Sequence, residues 1–422
     1  MNIQIFKSSI VNCHSSIAIT GSKSESNRLL LIQALYPQIT IDNLSNSDDS
    51  VLMQKALQTS ISNSVSSSVD IHHAGTAMRF LSAYFSIKEG CEVLLTGSSR
   101  MKERPIKILV EALRHLGADI QYAENEGYPP LRIKGKKLTN SKVTLKANVS
   151  SQYISALLLI ASKLENGLEL TLDGTITSIP YIKMTLQLLH QIGVESHFKN
   201  NVITVKPQIS NLKSKALTVE SDWSSASYFY SIVALSDLCT EVTLTSYKNN
   251  SLQGDSVLSD IYKAFGVETK FENNSITITK SSTTSHQSSI DLNLSNAPDI
   301  AQTIVVTAFG LGLECSLKGL HTLKIKETDR LVALKNELEK LGADIAITDT
   351  SLHLKPSKVI NKNVTIATYK DHRMAMAFAP LALKTTLSIE NADVVSKSYP
   401  QFWEDLSTIG FQINHIEVEN TD

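Results

Sequence analysis

Five short segments of the sequence concentrate lysine and arginine, several of them beside serine or glycine. Amides, hydroxyls and cations together are what phosphate and carboxylate ligands require of a binding site. The five segments carry a formal charge of +6, so the other residues carry −7 of the total of −1. If they meet in the fold, they form a site for a small molecule with several negative charges, because cations crowded together repel. The segments are GSKSESNR (21–28), RMKERP (100–105), KIKETDR (324–330), KDHRMAM (370–376) and SKSYP (396–400).

Each segment also has an ordinary structural interpretation. A single lysine or arginine is more often part of a solvated helix face than of a ligand site. KETDR could be an exposed helix start with charge pairs three and four residues apart. Asp299, which follows Pro298, could cap a helix, serve the chemistry, or do both. The case for a binding site therefore depends on the five segments together.

Two segments are predicted to place donors at helix N-termini, where free N–H groups attract anions. In GSKSESNR a glycine turn precedes an amphipathic stretch, which puts Lys23, Ser24 and Arg28 near a helix start. Gly75 and Thr76 begin a second predicted helix. Neither segment is a Walker A motif, and GLGLEC (310–315) lacks the third glycine of a dinucleotide fingerprint, so no nucleotide cofactor is predicted. No metal is predicted at His72 and His73, because no further ligand set accompanies them.

The elements that must position these segments repeat along the chain. An apolar helical pattern ends in a glycine and continues as a β-like stretch at LGAD, IGVE, FGVE, LGAD and IGFQ. This arrangement predicts helix, left-handed glycine cap and strand. The glycines, Gly117, Gly193, Gly266, Gly342 and Gly410, are spaced by 76, 73, 76 and 68 residues. A sixth copy is expected near residue 60, where VLMQKALQTS begins as a helix but is followed by serines.

Composition limits the remaining possibilities. A chain of 422 residues with 42% hydrophobic and 19% charged residues is expected to be globular with two domains. Alternating helices and strands predict an α/β fold. The balanced net charge argues against nucleic acid and membrane as partners. Four well-separated cysteines exclude a CxxC pair, and no apolar stretch reaches membrane-spanning length, so a cytoplasmic location is expected. The serine-rich tracts at 60–70 and 281–291 are predicted to be surface loops.

Nine segments, taken in order, resemble the 3-phosphoshikimate 1-carboxyvinyltransferase (EPSP synthase) family of enolpyruvyl transferases. The resemblance extends from residue 21 to residue 402 and covers nearly the whole chain. A single AGTAMR would be weak, whereas nine segments in the same order are unlikely to arise by chance. They are GSKSESNR, AGTAMR, RMKERPI, SSQYISALL, SDWSSASYF, APD, KIKETDRL, DHRMAM and SKSYPQF.

The resemblance implies a two-domain, inside-out α/β barrel in which each domain contains three similar helix-strand units. Domain 1 would comprise residues 1–20 plus 221–422 and bind phosphoenolpyruvate, and domain 2, residues 21–220, would bind shikimate 3-phosphate. The implied reaction transfers the enolpyruvyl group of phosphoenolpyruvate to the 5-hydroxyl of shikimate 3-phosphate and releases phosphate. No cofactor or metal is implied. The two substrates are the only partners expected, and a monomer is expected.

The resemblance also assigns residues to the substrates. Those assigned to shikimate 3-phosphate are Lys23, Ser24, Arg28, Ser150, Ser151, Gln152, Ser178, Tyr181, Asp299, Thr322 and Lys326. Those assigned to phosphoenolpyruvate are Lys23, His73, Gly75, Thr76, Arg104, Gln152, Arg330, Arg373 and Lys397. The planar guanidinium of arginine suits carboxylate and phosphate oxygens.

Three residues are predicted to carry protons: Glu327 at the methylene carbon of the enolpyruvyl group, and Asp299 at the 5-hydroxyl with help from Lys23. Which carboxylate handles which proton stays open. The chain departs from the family pattern at His73 and Thr322, where asparagine is usual, and at Phe80, where proline is frequent. These changes adjoin the predicted ligands, and we expect catalysis to survive them.

Two alternatives stay open from the sequence. The related enolpyruvyl transferase acting on UDP-N-acetylglucosamine needs a uridine pocket and typically a loop cysteine, which RMKERP lacks. A catalytically inactive binding protein for phosphorylated ligands would keep the cations without turnover. The presence of Lys23, Asp299 and Glu327 argues against that second alternative.

Overall fold

The computed structural model describes residues 1–7, 14–58, 67–147, 150–176, 179–208, 213–237, 240–281 and 288–416. Its contacts divide the chain into two compact units. Unit 1 consists of Met1–Thr20 and Glu220–Asp422, and unit 2 of Gly21–Val219. The predicted association of one substrate with each domain stays a prediction.

Helices and strands alternate through both units. The strands are β1 Asn2–Lys7, β2 His14–Ile17, β3 Ile39–Asp42, β4 Ser67–Asp70, β5 Glu92–Thr96, β6 Asp119–Tyr122, β7 Leu131–Lys134, β8 Lys142–Lys146, β9 Leu168–Asp173, β10 Ser196–Lys199, β11 Val202–Val205, β12 Lys215–Thr218, β13 Glu241–Thr245, β14 Val267–Glu272, β15 Ser275–Lys280, β16 Ser289–Asn293, β17 Glu314–Lys318, β18 Ile345–Ile347, β19 Ser351–Leu354, β20 Val364–Ile366, β21 Leu387–Ile389 and β22 Phe411–Ile416. The helices are α1 Lys23–Leu35, α2 Asp48–Gln58, α3 Gly75–Ile87, α4 Ser99–Lys102, α5 Lys107–Leu116, α6 Ser151–Ala161, α7 Ile179–Gln191, α8 Trp223–Leu235, α9 Leu258–Ile261, α10 Ala301–Leu311, α11 Arg330–Lys340, α12 His372–Phe378 and α13 Phe402–Thr408.

One sheet pattern recurs five times among the described residues. Two parallel strands lie side by side, and the second of them pairs with one strand of an antiparallel pair. This pair is a hairpin in four sheets and joins the distant strands β1 and β22 in the fifth. In unit 1 the sheets have the orders β14-β15-β13-β2, β16-β17-β19-β18 and β20-β21-β1-β22, and in unit 2 the orders β4-β5-β7-β6 and β10-β11-β9-β8. A sixth sheet, in unit 2, contains the parallel pair β12-β3. Each unit thus holds three sheets, which confirms the predicted α/β class.

Helices occupy the interior of each unit and the sheets lie outside them. Every residue of α8 and of α12 is buried, and α10 packs against both. In unit 2, α1, α3, α6 and α7 form a similar packed group. The strands instead alternate buried and partly exposed side chains, as β5, β13 and β15 show, because only one face of each sheet covers the helices. The complete barrel geometry stays a prediction.

The five predicted glycine steps are confirmed. Each glycine has a positive φ, a backbone conformation that L side chains rarely adopt, and lies one to three residues before a strand of an antiparallel pair. The values are +110° at Gly117, +91° at Gly193, +76° at Gly266, +96° at Gly342 and +105° at Gly410. The repeat found in the sequence therefore marks the point where a helix ends and a strand of an antiparallel pair begins, in one recurring structural unit.

The sixth copy is assembled from two distant stretches. α2 ends at Gln58, and the residues that follow it, 59–66, lie outside the described part of the chain. The first strand of this copy is β12, which lies far along the chain and pairs in parallel with β3. The loop prediction for the serine-rich tracts is wrong in part, because β4 and β16 fall within them. Among the described residues, no helix combines the length and apolar character needed to cross a membrane.

Candidate active site

Unit 1 gathers the predicted carboxylates and guanidiniums into one cluster, which we call the ion-pair cluster. It comprises Asp299, Lys326, Glu327, Arg330, Asp371 and Arg373. Asp299 lies in a short 3-10 turn just before α10, Arg330 begins α11, and Arg373 lies in the first turn of α12. Three helix starts therefore bring these side chains together.

Arg330 is the centre of the ion-pair cluster and is only 2% exposed. Its Nε donates to Oδ2 of Asp371 at 2.7 Å, Nη1 to Oδ1 of Asp299 at 3.0 Å, and Nη2 to Oε2 of Glu327 at 2.9 Å. The predicted i,i+3 pair of KETDR thus exists, but as a buried contact. The interpretation of KETDR as an exposed helix face is wrong, because its arginine points into the protein.

Arg373 contacts the same carboxylate from another side. Its Nη1 donates to the main-chain carbonyl of Asp299 at 3.1 Å, and its Nη2 lies 3.2 Å from Oδ2 of that residue. Asp371 fixes the start of α12, because its Oδ1 accepts from the backbone N–H of Arg373 at 2.9 Å. Asp371 therefore holds both Arg330 and the helix that carries Arg373.

The electrostatics of Asp299 follow from these contacts. Burial favours the protonated acid, but attraction by Arg373, Lys326 and Arg330 prevails and holds the pKa of Asp299 well below its ordinary range. Lys326 contributes from 3.3 Å. The suggestion that Asp299 caps a helix is wrong, since α10 is preceded by Ile300 and has no side-chain cap. The carboxylate is directed to the arginines instead.

Two further predicted residues of unit 1, Lys397 and Thr322, differ in their hydrogen bonding. Nζ of Lys397 donates to the main-chain carbonyl of Lys370 at 2.8 Å, next to the residue that caps α12. Oγ1 of Thr322 is buried and has no hydrogen-bond partner within the described part of the chain. Their predicted ligand contacts stay predictions.

In unit 2 the predicted residues lie at the N-terminal ends of α1, α3, α6 and α7. We call these residues together the helix-start cluster. The ends of α3 and α6 meet, because Nε2 of Gln152 donates to Oγ1 of Thr76 at 3.2 Å. Ser150 caps α6 by accepting from the backbone N–H of Gln152 at 3.3 Å, and Ser151 follows it. Convergent helix N-termini form a positive field suited to an anion.

Lys23 begins α1 as predicted, after Ser22, whose hydroxyl caps the helix. Its Nζ lies 3.3 Å from Oδ2 of Asp49, and both side chains are largely buried. The glycine at position 21 is required by close packing, since a Cβ there would lie 1.9 Å from the carbonyl oxygen of Asn43. The predicted glycine turn thus sets where the helix starts.

Arg28 is buried and makes several contacts within unit 2. Its Nε donates to Oγ1 of Thr185 at 2.8 Å, Nη2 to Oγ of Ser155 at 3.0 Å, and Nη1 to the carbonyl of Ser24 at 2.8 Å. Its guanidinium also lies 5.9 Å from the ring centroid of Tyr181. Burial lowers the pKa of Arg28 to about 10. These contacts hold α1, α6 and α7 together, while the predicted role of Arg28 in binding substrate stays a prediction.

Arg104 lies directly against Gly75. A Cβ on Gly75 would come within 2.5 Å of Nη1 of Arg104, so only glycine leaves room for this guanidinium at the start of α3. Nearby Arg79 donates to the carbonyls of Gly75 and Pro105, each at 3.1 Å. The loop that carries Arg104 is thereby attached to the same helix start. His73 precedes this helix by two residues, and Ser178 lies outside the described residues.

Several residues of the two clusters escaped the sequence analysis. They are Asp49, Arg79, Ser155, Thr185, Ser224, Asp255 and Asp371. All seven have partners more than 20 residues away, a distance at which spacing carries no signal. Asp371 had one local signal, since an aspartate before an apolar run indicates a helix cap.

These features define an α/β protein whose recurring units present helix starts, arginines and two carboxylates to small anionic ligands. Comparison with known proteins identifies the family. Residues 8–406 match the family model described as EPSP synthase (3-phosphoshikimate 1-carboxyvinyltransferase). The chain belongs to this family. The predicted family and enzyme class are therefore confirmed.

Individual relatives support the same assignment. A 3-phosphoshikimate 1-carboxyvinyltransferase of Bacteroides fragilis is 46% identical over 403 residues, which cover 94% of this chain and 96% of that protein. One of Histophilus somni is 35% identical over 420 residues, with 93% and 96% covered. A solved EPSP synthase from Acinetobacter baumannii has a TM-score of 0.78 at 22% identity and covers 98% of this chain and all of that one. That structure shares the fold.

Proposed function

We propose that the chain transfers the enolpyruvyl group of phosphoenolpyruvate to the 5-hydroxyl of shikimate 3-phosphate. The observation that carries the proposal is the ion-pair cluster, in which Arg330 and Arg373 converge on Asp299 with Glu327 beside them. Two guanidiniums suit the carboxylate and phosphate of phosphoenolpyruvate. Two carboxylates supply groups for proton transfer.

The helix-start cluster supports a second anionic ligand. Hydroxyls, amide groups and Lys23 at converging helix starts match the phosphate of shikimate 3-phosphate. We assign that phosphate to Ser150, Ser151, Ser178 and Lys23, and the ring and carboxylate to Ser24, Arg28, Gln152, Tyr181, Thr322 and Lys326. We assign phosphoenolpyruvate to Lys23, His73, Gly75, Thr76, Arg104, Gln152, Arg330, Arg373 and Lys397.

The reaction requires balanced proton transfers. The 5-hydroxyl oxygen bonds to C2 of phosphoenolpyruvate while the methylene carbon takes up a proton and becomes a methyl group. Phosphate then leaves C2, and the methyl group loses a proton to restore the double bond. We assign the carbon-bound proton to Glu327 and the hydroxyl proton to Asp299, with Lys23 assisting.

Asp299 is a weak base while its guanidinium partners hold its pKa low. An incoming carboxylate that attracts Arg330 and Arg373 competes for those hydrogen bonds. Because fewer cationic contacts then stabilise the ionised acid, its pKa rises toward the ordinary aspartate value. Binding of phosphoenolpyruvate would thus convert Asp299 from an ion-pair partner into a proton acceptor.

The test is phosphate release from phosphoenolpyruvate with one of three additions: shikimate 3-phosphate, UDP-N-acetylglucosamine, or no acceptor. We expect release with shikimate 3-phosphate alone. Phosphate release with UDP-N-acetylglucosamine alone would support the related enolpyruvyl transferase activity. No phosphate release with either acceptor would support a binding protein. Cytoplasmic location and a monomeric state stay predictions, and light scattering tests the latter.

A further inference from the structure

Asp255 is a buried carboxylate behind the ion-pair cluster that the reaction scheme does not use. It lies in the short 3-10 turn Gly254–Val257 and is 4% exposed. Its Oδ2 accepts a hydrogen bond from the hydroxyl of Ser224, in the first turn of α8. No donor in the described part of the chain reaches its Oδ1. A buried carboxylate with one oxygen unpaired is costly for folding, so its position calls for a compensating role.

Ser224 connects Asp255 to Arg373. Its Oγ accepts from Nη2 of Arg373 at 3.3 Å while its own proton is donated to Asp255. Nη2 of Arg373 is therefore shared between Ser224 and Oδ2 of Asp299. Because Asp255 takes the hydroxyl proton, the serine lone pairs face the guanidinium. The sequence of contacts is Asp255 to Ser224 to Arg373.

We propose that Asp255 is a positioning residue that, through Ser224, fixes the guanidinium of Arg373 for the anionic ligand. The inference rests on the proposed binding of phosphoenolpyruvate by Arg373. Without Asp255 the hydroxyl of Ser224 can rotate and point its proton at the cation. Arg373 would then keep its contacts to Asp299 but lose the contact with Ser224, which holds Nη2 when an anionic ligand competes with Asp299 for the guanidinium.

Asp299 and Asp222 face Asp255 with like charge, and Arg373 faces it with opposite charge. The like charges add to the cost of burying this carboxylate, so the hydrogen bond that Asp255 accepts from Ser224 is the contact on which the proposal depends.

The test measures both Michaelis constants, kcat and the melting temperature for Asp255→Ala, Asp255→Asn, Ser224→Ala and the double variant Asp255→Ala/Ser224→Ala. We expect Asp255→Ala to raise KM for phosphoenolpyruvate about tenfold, as loss of one buried hydrogen-bond connection does. KM for shikimate 3-phosphate should change less than about threefold. Asp255→Asn keeps an acceptor for Ser224 and should restore most of the loss.

The double variant decides whether the two residues act through one connection. We expect it to be no worse than Ser224→Ala alone, because additivity fails for residues that act in series. Asp260→Asn is the matched control, since Asp260 lies in the adjacent α9 and pairs with exposed Lys263 at 2.7 Å. It should leave both Michaelis constants within about twofold of the parent.

Equal changes in both Michaelis constants, or additive losses in the double variant, overturn the proposal. If Asp255→Ala does not fold, Asp255→Asn and Ser224→Ala carry the same comparison. If the parent does not release phosphate, the proposed function fails. The dissociation constant for phosphoenolpyruvate, measured by calorimetry, then decides the role of Asp255 independently of turnover.

Discussion

The ion-pair cluster of unit 1 and the helix-start cluster of unit 2 are both built at the N-terminal ends of buried helices, but they carry opposite kinds of chemistry. In unit 1 each arginine is balanced by carboxylates, and Arg330 alone contacts three of them. In unit 2 hydroxyls and amides predominate, with Lys23 and Arg104 as cations. Acid-base groups are therefore concentrated in one unit and anion anchors in the other.

This difference shows how one repeated fold serves two purposes. In both units the chain between the two strands of a parallel pair contains a helix whose first turn carries predicted site residues. Examples are α3 between β4 and β5 and α6 between β8 and β9 in unit 2, and α12 between β20 and β21 in unit 1. A helix start with neutral donors binds an anion directly. A helix start with an aspartate, such as Asp371, instead binds Arg330, the arginine that we propose contacts the anion.

Glu327→Gln should have the largest effect and tests whether proton transfer belongs to unit 1. The amide keeps the shape of the side chain but cannot exchange a proton at the methylene carbon. We expect kcat to fall about 10²-fold to 10⁴-fold, with calorimetric binding of both substrates retained. Glu339→Gln, on the exposed face of α11, the helix that begins three residues after Glu327, is the control. Near-normal turnover of the Glu327 variant would remove this residue from its role.

The pH dependence of stability should have the next largest effect, through Asp255. Burial, together with Asp299, raises the pKa of Asp255 from 3.8 to about 7 against the opposing attraction of Arg373. Between these two values the folded protein holds a proton that the unfolded chain has lost. The free energy of unfolding therefore falls as pH rises through that interval.

Asp255→Asn, which does not ionise, should remove this loss. Relative to the parent, the variant should gain about 2 to 3 kcal/mol between pH 5 and pH 7, and this gain should level off at higher pH. Urea unfolding at several pH values measures it. A difference between variant and parent that is the same at every pH would contradict the prediction. Asp260→Asn should show no such gain.

Sequence reasoning succeeded where the signal is local. The five glycine steps, the starts of α1 and α3, and the KETDR segment depend on neighbours a few residues apart. The contact between Arg330 and Asp371 joins residues 41 positions apart, and the spacing of residues in the sequence does not predict such a contact. The sixth step, expected near residue 60, has serines in the sequence in place of the glycine, and residues 59–66 lie outside the described part of the chain.

Gly75→Ala should have an intermediate effect and tests whether unit 2 also holds phosphoenolpyruvate. The added Cβ would lie 2.5 Å from Nη1 of Arg104, so the guanidinium has to move. We expect KM for phosphoenolpyruvate to rise about tenfold, while KM for shikimate 3-phosphate stays nearly unchanged. In an Arg104→Ala background the same change should cost little more. An equal rise in both Michaelis constants would assign Gly75 to the fold alone.

Ser150→Ala should have the smallest effect and separates capping from binding in the helix-start cluster. Ser150 and Ser22 both cap long helices, so either alanine variant should lower the free energy of unfolding by about 1 kcal/mol. Ser22 is 1% exposed and its hydroxyl cannot reach a ligand, whereas Ser150 is only half-buried. Ser150→Ala should therefore also raise KM for shikimate 3-phosphate, by about threefold to tenfold, and Ser22→Ala should not. If both variants lose stability and neither changes KM for shikimate 3-phosphate, Ser150 is only a helix cap. The phosphate is then held by other groups of unit 2.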